Sequence, residues 1–428
     1  MRIRSIFKFL PPVLEYNQMD IPIEEFLTPS RVVILLKHPN GEPNVAVVEG
    51  DKVKTGQKLA SNINSGVIAS VTGAVKELAT IFGARGETFT AVTIENQGND
   101  EWDSSIVTDE DYLSKPPEEL RNKLREFGWF LLPEDNPLPP FIKGDKKIDT
   151  VIVNAFDSEP IVAISQQLLR ENSSDIQSGL VACKHVFESS RIILAVPENL
   201  QSIAKQIVPA GVTIFTLKPI YPNGLPNLLV HKIMGKEVPE GSTPEDIGIL
   251  VIGVEKLLAM LSLLRDGKPQ IEKFLTVAGK SIPSPRVFKV RIGTLVSDIL
   301  SHCGVVLENK DRLIIGGPMR GTAYFSPDYP ITEHSDAVIA QAAEEIIEVT
   351  DNPCVNCGDC VRVCPVRLQP HLLGRYSEFS LFAETRRYEI DACVECGLCA
   401  YVCAARRPTL QYIQFAKDML RKEEETIE

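Results

Sequence analysis

Eight of the chain's ten cysteines fall in two runs near its end, Cys354-x-x-Cys357-x-x-Cys360-x-x-x-Cys364 and Cys393-x-x-Cys396-x-x-Cys399-x-x-x-Cys403. Nothing else in the sequence limits the fold as much, because thiols this dense must be bridged or metallated. Structural zinc sites use two separated Cys-x-x-Cys pairs, not a triple with a trailing cysteine. A disulfide framework belongs to small secreted domains. This chain has 428 residues, and its start, Met1-Arg2-Ile3-Arg4 running to Pro11-Pro12, is too short for a secretory core. The doubled triple matches [4Fe–4S] ligation instead. Thiols serving that purpose stay reduced, which points to a cytoplasmic setting.

The runs are similar to those of two-cluster ferredoxins, in which the fourth cysteine of each run ligates the other cluster. The resemblance implies one cluster on Cys354, Cys357, Cys360 and Cys403, and a second on Cys393, Cys396, Cys399 and Cys364. The first run ends Cys364-Pro365 but the second ends Cys403-Ala404. Without the proline, a helix has room to continue through Ala404-Ala405-Arg406-Arg407 to Pro408. Arg362, Arg367, Arg406 and Arg407 lie near the runs. They would stabilise reduced clusters, receive an acidic ferredoxin, or form ordinary solvated surface, the last being the favoured reading.

With 44% hydrophobic residues, the chain can bury several cores and should divide into three or four domains. Its formal charge is −12. Two clusters would add roughly four negative units, since eight thiolates outweigh two +2 cores. Nucleic acid is therefore excluded as a partner. Only residues 247–264 approach membrane-spanning length, and Glu255-Lys256 interrupts them after Ile249-Leu250-Val251-Ile252. That pattern reads as a strand followed by a helix, and no transmembrane helix is expected.

Residues 30–95 are β-rich, with two strand–turn units of similar design at 50–57 and 65–75. They look like the barrel-sandwich hybrid of biotinyl and lipoyl carriers. The carriers' modified lysine would fall within residues 61–65, which contain none, so a structural or docking use is expected. Residues 96–145 are polar and then proline-rich, a connector. From Asp149 the pattern turns α/β, with strands at 150–153, 191–196 and 212–217 and helices at 161–170 and 178–188. Further strands are expected at 274–277, 287–290 and 312–315, with a helix at 295–302. Residues 335–349 show helical apolar periodicity. Leu372, Leu373, Tyr376, Phe379 and Phe382 recur at near-helical spacing between the cysteine runs.

Taken in order, these segments resemble the C subunit of Rnf-type ion-translocating ferredoxin:NAD oxidoreductases. The resemblance rests on the carrier-like start, on 153–160 (Val-Asn-Ala-Phe-Asp-Ser-Glu-Pro), on Tyr221-Pro222-Asn223-Gly224 and on Gly235-Lys236-Glu237-Val238-Pro239. It continues through Gly267-Lys268-Pro269, Arg291-Ile292-Gly293-Thr294, Gly316-Gly317-Pro318-Met319 and both cysteine runs. It implies a multi-domain α/β and β architecture. Residues 1–100 would be a barrel-sandwich hybrid, 101–145 a connector, and 146–245 an α/β domain like the FMN/NADH-binding domain of respiratory complex I. A β-grasp (soluble ligand-binding) module would follow at 246–330, then a helix-rich two-cluster ferredoxin-like domain at 331–428.

The family's flavin loop needs the form Gly-x-Gly-Gly-x-Gly-Phe-Pro-Thr, because only glycine lets backbone N–H groups approach a phosphate. Here residues 127–137 keep one glycine, Gly128, and add Glu134 and Asp135. Pro226 stands where the family usually carries a glutamate. Glu159 survives as a nucleotide-site remnant, or simply as a carboxylate capping the next helix. FMN and NADH binding are therefore expected to be lost, leaving two [4Fe–4S] clusters as cofactors. Cys183 and Cys303 read as packing residues, the six histidines show no metal-type pairing, and no nucleophile elbow, P-loop or zinc-protease signature occurs.

The expected function is electron transfer within an Rnf-like complex, peripheral on the cytoplasmic face. Its partners would be membrane-embedded redox subunits and ferredoxin or another soluble carrier. An FMN-dependent NADH:ferredoxin-type reductase module and an iron–sulfur adaptor in a soluble assembly are the alternatives.

Overall fold

The computed structural model describes residues 14–16, 19–37, 45–60, 67–83, 87–129 and 147–427. The chain divides into two units, one of Asn17–Pro219 with Pro244–Glu344, the other of Met1–Tyr16, Ile220–Thr243 and Glu345–Glu428.

The first unit contains three sheets among its described residues. Arg31–Lys37, Thr88–Asn96, Gly73–Phe82 and Lys52–Val53 form an antiparallel sheet in that order. Its inner face follows from period-two alternation: Val32, Ile34 and Leu36 are buried with Val92 and Ile94 across the pair. Residues 61–65, where a carrier would place its lysine, lie outside the described residues.

A parallel sheet runs in the order Val212–Leu217, Arg191–Pro197, Thr150–Asn154, Ile249–Gly253. Its central strands are buried almost end to end, as apolar strands of a parallel sheet are. Helices Ile164–Glu171, Ser173–Val186 and Val254–Arg265 add Leu168, Ile176, Leu180, Leu257 and Leu261 to that core. Each such side chain contributes about 1.5–3 kcal/mol by leaving water. A boundary at residue 246 is therefore misplaced, because Ile249–Gly253 pairs residue by residue with Thr150–Asn154. The expected connector also contains a helix, Pro117–Glu126, which buries Leu120 and Leu124. Pro117 suits the first helical position, and Glu118 and Glu119 favour the positive end of the dipole. The proline-rich remainder, 130–145, lies outside the described residues.

The third sheet is six-stranded: Ile23–Glu25, Arg286–Arg291, Glu272–Gly279, Ala337–Gln341, Arg312–Ile315, Thr322–Tyr324. Helix Val296–His302 packs Val296, Ile299 and Leu300 against Leu275, Val277, Phe288 and Val338. The helix expected over 335–349 is instead the strand Ala337–Gln341, followed by a single 3₁₀ turn, Ala343–Glu345. Two neighbours decide this: the segment pairs parallel with Glu272–Gly279 on one side and antiparallel with Arg312–Ile315 on the other. Adjacent strands thus override a run of small residues compatible with either state.

The second unit contains helices Pro226–Met234, Asp359–Val363, Pro370–Glu378, Phe382–Thr385, Leu398–Tyr401 and Thr409–Ile427. Leu368, Leu373, Phe382, Ile390, Ile413, Ala416 and Leu420 form its core. Among the described residues no helix is long and apolar enough to cross a membrane.

Candidate metal centre

The two cysteine runs repeat one backbone design. The residue before each second cysteine, Asn356 or Glu395, has φ of 53° or 50°, and the glycine after it, Gly358 or Gly397, has φ of 78° or 77°. Glycine takes that left-handed conformation without steric cost. Each glycine is the N-cap of a short helix, Asp359–Val363 or Leu398–Tyr401, which carries the third cysteine. Three residues beyond each fourth cysteine, Arg367 and Arg406 again have positive φ, 58° and 52°. The next backbone N–H then turns back onto sulfur: Leu368 donates to Cys364 Sγ at 3.3 Å, and Arg407 to Cys403 Sγ at 3.4 Å. The helical continuation for which the missing proline leaves room is therefore not taken. Without proline, the second run makes the same turn through Arg406.

This wrapping brings the thiols together in two groups. Cys354, Cys357, Cys360 and Cys403 line a cavity of about 500 Å³, and Cys364, Cys393, Cys396 and Cys399 line a narrower one walled by Leu368, Leu373, Leu410 and Ile413. In each, three cysteines of one run meet the fourth of the other. Among the described residues no three His, Cys, Asp or Glu converge tightly enough for a single metal ion.

The two groups differ in burial. Cys354 and Cys357 are exposed, whereas Cys396 and Cys399 are 8% and 9% accessible. Burial pushes the Cys393 thiol up to about 11 even though the Lys417 ammonium draws it down. It also raises Cys360 and, further helped by neighbouring Cys393, Cys396, Cys360 and Cys364, Cys399. A bare thiolate is thus costly here, yet the thiolate is the form that binds iron. A cationic iron–sulfur core offsets that cost, and a set of four thiols per cavity suits it.

The four arginines divide into two kinds. Arg407 contacts Glu378, donates to Asn352 O at 2.8 Å and lies over the Tyr412 ring. Arg362 contacts Asp359 and donates to Cys357 O at 3.2 Å. Arg367 and Arg406 are exposed at their left-handed turns.

At the expected nucleotide remnant, Glu159 is buried and committed elsewhere. Its Oε2 accepts the N–H groups of Met319 at 2.6 Å and Arg320 at 3.2 Å. Burial raises its pKa, while those amides and the Arg320 charge pull it back. Gly317 is needed for this approach, since a Cβ there would sit 2.1 Å from Glu159 Oε2. Capping of the following helix falls to Asp157, which no sequence pattern singles out and whose Oδ1 accepts the Ser165 N–H at 2.6 Å. Phe127 ends the preceding helix, and Trp129 is buried with its indole N–H donated to Lys256 O at 2.9 Å. Residues 130–137 of the flavin-type loop lie outside the described residues. Pro226 opens helix Pro226–Met234. Cys183 is wholly buried, and Cys303 is half-buried near Arg286.

Residues 11–99 match the RnfC barrel sandwich hybrid domain, 141–261 the Nuo51 FMN-binding domain, and 346–404 the 4Fe-4S dicluster domain. The C subunit of the proton-translocating ferredoxin:NAD(+) oxidoreductase complex of Clostridium ljungdahlii is 30% identical over 410 residues, 92% of this chain and 89% of that one. The chain belongs to this family of C subunits. Its counterpart in the Na(+)-translocating complex of Acetobacterium woodii is 28% identical, covering 87% of each chain. The C subunit of an ion-translocating oxidoreductase complex of Rhodobacter capsulatus is 29% identical over 96% of this chain and 82% of its own. This member of the family carries a barrel-sandwich hybrid N-domain, a domain of FMN-binding type and a 4Fe–4S dicluster domain, and [4Fe–4S] clusters are its cofactors.

Proposed function

We propose that the chain is the electron-transfer iron–sulfur subunit of an Rnf-like, membrane-associated oxidoreductase complex. Cys354, Cys357, Cys360 and Cys403 hold one cluster, and Cys393, Cys396, Cys399 and Cys364 hold the other. The observation that carries this reading is the pair of four-thiol cavities, each crossed between the runs. Clusters held side by side supply one-electron steps without a diffusing carrier. The exposed edge at Cys354 and Cys357 suits exchange with ferredoxin or another soluble carrier. The chain itself docks on membrane-embedded redox subunits from the cytoplasmic face. Its six-stranded sheet serves as a β-grasp module, and the helices after residue 345 as a helix-rich cluster domain.

The match of 141–261 to an FMN-binding domain favours a second reading, a flavin-dependent NADH:ferredoxin-type reductase module. The glycine-poor loop and the engagement of Glu159 by Met319 and Arg320 speak against it. Anaerobic purification from native membranes tests both. The relay predicts about eight irons per chain, four for each cluster, no flavin in the denatured extract, and co-purifying membrane subunits. Stoichiometric FMN would establish the second reading, and a purely soluble assembly would sink the first.

A further inference from the structure

Two peptide carbonyls hold matching places in the runs, those of the second cysteines, Cys357 and Cys396. In the first run the carbonyl is capped from within, by the Arg362 guanidinium at 3.2 Å. The matching position in the second run is Tyr401, an exposed side chain with no guanidinium to offer. Cys396 O instead accepts the hydroxyl of Tyr221 at 2.7 Å, from 175 residues earlier in the chain. Tyr221 is 2% accessible and firmly held. Its N–H donates to Leu14 O at 2.8 Å, its ring meets Tyr16 edge-on at 5.8 Å, and the Tyr16 hydroxyl accepts the Gly224 N–H at 3.0 Å.

We infer that Tyr221 is a positioning residue for the buried cluster, acting through the Cys396–Gly397 peptide. The inference rests on the ligand assignment proposed above. A peptide is planar, so fixing its carbonyl also fixes the N–H of the residue that follows. Here that residue is Gly397, the left-handed N-cap of the helix that carries Cys399. One hydroxyl therefore orients two ligands, Cys396 on one side of the peptide and Cys399 beyond the other. The first run does this with an exposed cation, which water can replace. The second does it with a hydroxyl that is itself buried, beside a cavity walled by leucine and isoleucine. Hydrogen bonding around ligands orients them and tunes the metal.

The test is an EPR-monitored redox titration of the full chain loaded anaerobically with both clusters, with signals assigned through Cys354→Ser, which breaks the exposed site. Tyr221→Phe keeps the ring and removes only the hydroxyl. It should shift the midpoint of the buried cluster, or halve the iron content, and leave the exposed cluster unchanged. Arg362→Gln should affect only the exposed cluster. Tyr16→Phe, which removes the acceptor of the Gly224 N–H but keeps the ring against Tyr221 and the Tyr221 hydroxyl, should leave both midpoints in place. Unchanged midpoints at full iron content in Tyr221→Phe, an equal shift of both, or an equal effect of Tyr16→Phe would overturn the inference while the ligand assignment stood. Fewer than two clusters in the unaltered chain would overturn that assignment, and the inference with it.

Discussion

The Glu159 carboxylate accepts the Met319 backbone N–H at 2.6 Å, and that of Arg320 at 3.2 Å with the same oxygen. It thereby joins the loop after strand Thr150–Asn154 to the 316–320 turn, where Gly317 leaves it room. Glu159→Ala removes the acceptor of two amides and should cost about 0.5–1.5 kcal/mol in urea unfolding, the net worth of an ordinary hydrogen bond, because Met319 is only partly buried and Arg320 is exposed to water. Iron content should not change. Full stability in the variant would show that the carboxylate is not a clamp.

Asp157 gives a pH signature. Burial raises its pKa to about 7, against the pull of Ser165 and Gln166, and the facing Asp336 adds to the rise. Asp336 is itself paired with Lys273 at 2.9 Å, and Lys273 also meets Glu255. The unfolded value lies near the ordinary aspartate's 3.8, so between there and about 7 the folded chain binds more protons than the unfolded one. Stability contributed by this group is complete below that window and lost as pH rises through it. Urea midpoints measured from acid to neutral pH should fall more steeply in the unaltered chain than in Asp157→Asn. Parallel curves would refute the assignment.

Ligand crossing predicts which cluster fails when a single cysteine is replaced. Cys364→Ser should abolish the EPR signal of the cluster on Cys393, Cys396 and Cys399, although Cys364 belongs to the first run. Cys403→Ser should abolish the other. If each serine removed the cluster of its own run, the crossed assignment would be wrong while the iron count stayed the same.

The cysteine runs were legible because ligation demands fixed spacing within a short segment. Features set by distant partners were not. Strand Ala337–Gln341 reads as a helix until its two neighbouring strands are in place. Tyr221 gives no local sign that it reaches Cys396. Asp157 looked like one more acidic residue in a family motif, and only the position of Ser165 shows it to be a cap. Helix Pro117–Glu126, by contrast, carried a readable signal in Pro117 followed by Glu118 and Glu119.

At Arg406 the sequence leaves room for a helix, and the chain instead makes a turn. At φ 52° it lets the Arg407 N–H reach Cys403 Sγ, just as Arg367 at φ 58° lets Leu368 reach Cys364. A left-handed backbone costs an ordinary L-residue roughly 1–2 kcal/mol, and a β-branched side chain fits it worst. Arg406→Gly should therefore keep the turn and both clusters. Arg406→Val should press the turn toward helix or strand, withdraw the N–H from Cys403, and speed loss of iron to a chelator from the exposed cluster alone. The comparison removes the same charge in both variants, so a difference between them reports backbone conformation rather than electrostatics. Equal iron loss from both would mean that the Arg406 guanidinium, and not its φ, protects the site.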